Sequence, residues 1–98
     1  MRRAARIDEN QPDIVEALRK RGAFVQSLAA IGKGCPDLLV GFHGRWFVLE
    51  VKDGSKPPSR QKLTTDERDW ITDAQRRAPV HVVTNTVEAV GILEMVAP

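Results

Sequence analysis

The chain has one cysteine, no tyrosine, three phenylalanines and two tryptophans. Cys35 has no second cysteine to pair with, which excludes an internal disulfide and fits a reducing cytoplasm. No His or Asn is placed to activate Cys35, so it reads as a small buried residue rather than a nucleophile. His43 and His81 are too far apart in the pattern to form a metal pair, and with one cysteine they make no zinc-ligand set. Helix-turn-helix and RNP-type aromatic patterns are missing too. No apolar run approaches the ~20 residues of a membrane span. Met1-Arg2-Arg3 leads into no apolar segment, so no secretory signal is expected. Repeats and low-complexity tracts are absent. Neither sign of charge dominates: 15 basic and 13 acidic residues leave +2, which permits nucleic-acid binding without demanding it.

What remains is a chain that is 42% hydrophobic and 29% charged, an ordinary globular composition. At 98 residues it makes a single domain, 1–98, with one modest core. Ile14, Val15 and Leu18 give an apolar stripe to a helix over 10–21, with Pro12 in its first turn and Gly22 as its stop. A short strand follows over 23–28, then a glycine-rich loop over 31–36. Strands over 37–42 and 45–52 flank His43-Gly44, a hairpin signal. Both strands are apolar on both faces, which predicts helices on each side of the sheet. Trp46 and Phe47 are expected to pack on those helices. Residues 53–63, with Gly54, Pro57 and Pro58, form a loop. Thr64-x-x-Glu67 is a capping-box pattern opening a second helix, which Pro79 ends. A strand over 80–84 and a helix over 86–96 complete the order αβββαβα, an α/β sandwich around a mixed sheet.

The hairpin sets a register. With a two-residue loop, paired numbers sum to 87, so Asp37 faces Glu50, and Lys52 points to the same side as Glu50. Two opposed carboxylates repel unless positive charge lies between them. Lys52 partly serves. A hard divalent cation serves better, taking carboxylate oxygens and keeping waters for a phosphate substrate. Spacing alone leaves open a plain Glu50–Lys52 salt bridge, with Asp37 merely starting its strand.

Gly34-Cys35-Pro36-Asp37 followed by Glu50-Val51-Lys52 resembles the PD-(D/E)XK nuclease superfamily. Gln11-x-x-Ile14-Val15-x-x-Leu18, Cys35-Pro36-Asp37-Leu38-Leu39-Val40-Gly41, Leu49-Glu50-Val51-Lys52-Asp53-Gly54 and Leu63-Thr64-x-Asp66-Glu67 resemble the stand-alone, often phage-encoded VRR-NUC family (virus-type replication-repair nuclease). The likeness spans nearly the whole chain. It implies a restriction-endonuclease-like fold, with a central mixed sheet flanked by helices. It also implies a Mg²⁺- or Mn²⁺-dependent, structure-specific DNA endonuclease, with four-way (Holliday) junctions among its candidate substrates. Asp37, Glu50 and the Val51 main-chain carbonyl would hold metal, and Lys52 would be the catalytic lysine. The family also uses an acid in or before the first helix. Asp8 is the first candidate, with Glu9 and Asp13 as competitors and a capping role for Asp8-x-x-Gln11 as the alternative. Gln11 and Glu67 would support the site from behind. Arg2, Arg3, Arg6, Lys33, Lys56, Arg60 and Lys62 would contact the DNA backbone. The expected partners are branched DNA and a second copy of the chain; neither a membrane nor an organic cofactor is expected. The expected location is the cytoplasm, that of the host for a phage protein. Two rivals stand beside this reading: a DNA-binding module of the same fold without catalysis, and a structural or interaction protein.

Overall fold

The computed structural model describes residues 7–96. The elements are α1 (Gln11–Lys20), β1 (Phe24–Ser27), β2 (Leu38–Phe42), β3 (Arg45–Val51), α2 (Thr65–Gln75), β4 (Val80–Val83) and α3 (Thr86–Val96). A short 3-10 turn, Pro58–Arg60, lies in the long loop before α2. This is the expected αβββαβα order.

Local chemistry explains the boundaries. Asp13 stands in the first turn of α1 and Arg19 and Lys20 in its last, each sign matched to the helix dipole. Gly22 follows the Arg21 cap at φ 90°, the left-handed position that ends many helices. At the hairpin, His43 (φ 49°) and Gly44 (φ 78°) both take positive φ, as a tight two-residue turn requires. Thr64 caps α2 and forms the full capping box with Glu67. The helix stops at Gln75, short of Pro79.

The sheet runs β1-β2-β3-β4. The first three strands are antiparallel, and β4 lies parallel to β3. Parallel neighbours need a crossover, which the loop after β3 and α2 supply. The hairpin register is the expected one, with Phe42 on Arg45 and Leu38 on Leu49. β2 itself begins one residue late, at Leu38. Asp37 stands at its entrance, where its carbonyl accepts the Leu28 N–H at 2.8 Å.

The core lies on one face. Val25, Leu38, Val40, Phe47, Leu49, Val51 and Val83 meet Ile14 and Leu18 of α1 and Ala89 and Leu93 of α3. The opposite face carries the alternate residues: Phe24, Gln26, Leu39, Gly41, Trp46, Val48, Glu50 and Val82. Here the structure departs from expectation. α2 packs against β4, with Ile71 and Val80 buried beneath it, and leaves much of the face open. Trp46 is 61% exposed rather than packed on a helix, and Phe24 is 53% exposed. A single helix is about 10 Å wide, so lying over β4 at one edge it covers about two of four strands spaced ~4.8 Å apart.

Candidate active site

The site forms on this outer face, where β2 begins and β3 ends. Glu50 is 2% exposed and Lys52 8% exposed. A carboxylate and an ammonium stay this deeply buried only when paired. The Asp37 carboxylate accepts the Val51 N–H through Oδ2 at 2.7 Å, which holds it against Glu50. Lys52 Nζ lies 3.6 Å from Glu50 Oε2 and 2.8 Å from Glu67 Oε1. The same Glu67 oxygen accepts the Thr64 N–H at 2.8 Å, while Thr64 Oγ1 accepts the Glu67 N–H at 3.1 Å. The two readings of Glu67, helix cap and support for the site, are therefore one structure. The capping box of α2 aims a carboxylate at Lys52.

Electrostatics follow from this crowding. Burial first, then the negative charges of Asp37 and Glu67, push the Glu50 carboxyl up to about 9. Burial also raises Asp37, against the opposing pull of its hydrogen bonds to Val51 and Glu50. Burial alone would lower Lys52. The hydrogen bond and charge of Glu67, with Glu50 and Asp8 behind them, raise it instead. Burial works to raise Glu67, but Lys52 and the Thr64 N–H hold it below the usual carboxylate value. Metal-free, the centre thus holds a protonated Glu50 beside a charged Lys52–Glu67 pair. Glu50 Oε1 is buried and accepts no hydrogen bond.

The pH dependence has a definite sign. Above pH 4.5 the unfolded chain loses the Glu50 proton, while the folded chain keeps it to about 9. The folded state then binds more protons, so stability falls as pH rises across that window. The metal-free protein should melt lower at pH 9 than at pH 6, and Glu50→Gln should flatten the slope. Thermal melts in a chelating buffer check this.

The other sequence candidates separate. Asp8 lies near enough to raise both Asp37 and Lys52. Glu9 instead pairs with Lys56 at 3.7 Å, and Asp13 is exposed. The capping alternative for Asp8 fails: the N-cap of α1 is Asn10, which makes no side-chain cap bond. Asn10, which the sequence reading missed, donates its amide to the carbonyls of Lys52 at 3.2 Å and Thr84 at 3.0 Å. It ties the start of α1 to the ends of β3 and β4. Gln11 is buried, with Oε1 unpartnered, and borders a hollow with Ile7, Pro12 and Val15. Lys33 borders a different hollow, among Asp66, Asp69 and Asp73. Arg60 and Lys62 are exposed, and Lys56 is partly neutralised by Glu9. Arg2, Arg3 and Arg6 lie outside the described residues.

Gly34 sets the loop that delivers Asp37. It takes φ +81°, and a Cβ there would run into the Asp66 main-chain carbonyl. Gly34→Ala combines a disfavoured backbone with overpacking, for an expected cost of about 2–4 kcal/mol. A denaturant midpoint measures it.

A solved structure described as a VRR_NUC domain matches this one with a TM-score of 0.60 and 26% identity, covering 92% of this chain and all of that one. The chain has the VRR_NUC domain fold. No family model and no curated protein matches the sequence. The VRR_NUC fold is a nuclease-type α/β fold, and in this chain it brings Asp37, Glu50 and Lys52 together at the end of the hairpin. No helix among the described residues is long and apolar enough to cross a membrane.

The donor set fits a hard divalent cation. Its ligand atoms are carboxylate oxygens, and the orphaned Glu50 Oε1 is a buried acceptor with nothing to accept. Among the described residues no three His, Cys, Asp or Glu side chains gather closely enough to cage an ion alone. A cation here would need main-chain oxygen and water besides Asp37 and Glu50, and that is how Mg²⁺ is ordinarily held.

Proposed function

We propose that the protein is a Mg²⁺- or Mn²⁺-dependent endonuclease that hydrolyses DNA phosphodiesters in branched substrates, four-way junctions among them. One observation carries the reading. Glu50 and Lys52 are buried with a half-buried Asp37 carboxylate beside them in a nuclease-type fold, and the Glu50 Oε1 atom accepts no hydrogen bond. A structural salt bridge needs neither the second carboxyl group nor the orphan. Glu50 Oε2 does lie 3.6 Å from Lys52 Nζ, but Glu50 keeps its proton and the charged partner of Lys52 is Glu67, at 2.8 Å.

Asp37 and Glu50 would hold the metal, joined by the Val51 main-chain carbonyl and by water, with the Asp8 carboxylate near enough to add its charge. The bound cation would polarise a phosphoryl oxygen and make hydroxide available near neutral pH. Lys52, whose ammonium Glu67 holds at 2.8 Å, would donate hydrogen bonds to phosphate oxygens as their negative charge grows. Glu67 fixes the ammonium in place. Exposed Arg60 and Lys62, with Lys56, Arg2, Arg3 and Arg6, would position the DNA backbone without reading bases. Such a substrate places the work in the cytoplasm that holds the DNA. The deciding experiment is cleavage of branched, flapped and linear DNAs with Mg²⁺ or Mn²⁺ and with chelator. Binding of all three without metal-dependent cutting supports the non-catalytic rival.

We also propose a homodimer. Symmetric cutting of a junction needs two sites on opposed strands, and two-fold pairing supplies them. On α3, Val87 is 79% and Met95 71% exposed, more apolar surface than its packing on the sheet uses. Light scattering should give twice the 10.9 kDa chain mass. The chain mass itself would reject the dimer.

A further inference from the structure

The open part of the outer sheet face has no role in the reading above. Trp46 and Phe24 are large apolar rings in regular strands, yet both are mostly exposed. They meet edge to face, with centroids 5.7 Å apart and planes at 84°. Gly41 is the cross-strand neighbour of both. A Cβ on Gly41 would stand 2.9 Å from a carbon of the Trp46 ring, so the indole lies down on bare backbone. Bedding and bracing fix the ring, and its free side meets solvent. The adjoining hollow, about 320 Å³, is bordered by His43 and Arg45 and by no acidic side chain.

An apolar patch held open in this way needs an occupant. The carboxylate cluster lies on the same face. Trp46 and Glu50 are four residues apart on β3, so they point the same way and stand about 14 Å apart at ~3.4 Å per residue. A DNA strand at its stacked spacing of ~3.4 Å covers that span in about four nucleotides. Bases inside a duplex already stack on each other. A free aromatic face therefore attracts an unpaired base, in a sequence-tolerant way.

We propose that Trp46, braced by Phe24 and bedded on Gly41, is a stacking platform for an unpaired nucleobase of the strand bound at Lys52. The inference rests on the nuclease reading and narrows its substrate to DNA with single-stranded nucleotides beside the scissile phosphate.

The test measures binding without metal, so that no cleavage intervenes. Labelled duplexes, one blunt and one with a short single-stranded tail, are titrated with wild type, Trp46→Ala and Trp46→Phe. Trp46→Ala should lose about tenfold in affinity for the tailed duplex, with the blunt one unchanged. Trp46→Phe should keep most of the preference, which separates stacking from any fault in folding. In a Trp70→Phe background, tailed DNA should quench the remaining tryptophan emission. Equal loss on both DNAs, no loss on either, or unquenched emission overturns the platform. So does a Trp46→Ala variant that binds both DNAs normally but falls from dimer to monomer, which gives the patch to a second copy. A protein that cuts DNA with Mn²⁺ but ignores Trp46 overturns the platform alone. One that binds tailed DNA through Trp46 and cuts nothing supports the platform and overturns the nuclease reading.

Discussion

Lys52→Ala should reduce DNA cleavage by at least about a hundredfold while leaving Mn²⁺ binding in place. The reason is positional. Lys52 Nζ is the cation nearest Glu50 and Glu67, at 3.6 and 2.8 Å, and it ligates nothing itself. Its removal takes away a hydrogen-bond donor from the place where a phosphate would gain charge. It also leaves the Glu67 carboxylate without its counter-ion, so the variant should melt lower than wild type in chelator. Lys52→Met belongs beside it, because methionine keeps the aliphatic stem and its packing. Lys52→Arg separates two roles. An arginine stays charged but cannot act as a base. If Lys52 works as a cation, Arg should retain measurable activity where Met has none. Single-turnover cleavage at saturating Mn²⁺ makes the comparison, and isothermal titration reports the metal. Full activity in Lys52→Ala would remove Lys52 from the chemistry.

The part of this site legible in the sequence is the part set by counting along strands. His43-Gly44 fixes the hairpin, the hairpin fixes the register, and the register places Asp37 and Lys52 beside Glu50. Thr64-x-x-Glu67 likewise announced its own helix start. Local patterns do not say where a helix comes to rest. That Glu67 would reach Lys52 depends on how the long loop folds α2 back onto the sheet. Asn10 looked like an ordinary residue at a helix entrance, yet its amide spans to β3 and β4. Lys33, read as a phosphate contact, borders a hollow that Asp66, Asp69 and Asp73 of α2 also line, a neighbourhood no local pattern announces. Trp46 was expected under a helix because its strand is apolar on both sides. The place of α2 over β4 decides otherwise, and that is a property of the packed layer rather than of any one strand.

Asp37→Asn and Glu50→Gln should each abolish both cleavage and Mn²⁺ binding, since an amide is a poor ligand for a hard cation. Their effects on the metal-free protein should differ from those of Lys52→Ala, and the burial of the carboxyl groups says how. Glu50 is 2% exposed and holds its proton to about 9, so a neutral group already occupies that position at pH 7. Gln is nearly isosteric with the protonated acid, and it brings N–H donors toward Asp37 and Glu67. Glu50→Gln should therefore match or exceed wild type in melting temperature in chelator, and gain most at pH 9, where the wild-type carboxyl begins to ionise. Asp37→Asn keeps an oxygen to accept the Val51 N–H, so the loop end should hold. Adding millimolar Mn²⁺ should raise the melting temperature of wild type by mass action and move neither variant. The shift in wild type should also grow from pH 6 to pH 9, because the cation displaces the Glu50 proton and the higher pH has already begun to remove it. Thermal melts with and without Mn²⁺ at both pH values give all of these in one series. A wild-type protein whose melting ignores Mn²⁺ at either pH would leave the two carboxyl groups as a structural pair and remove the metal from the mechanism.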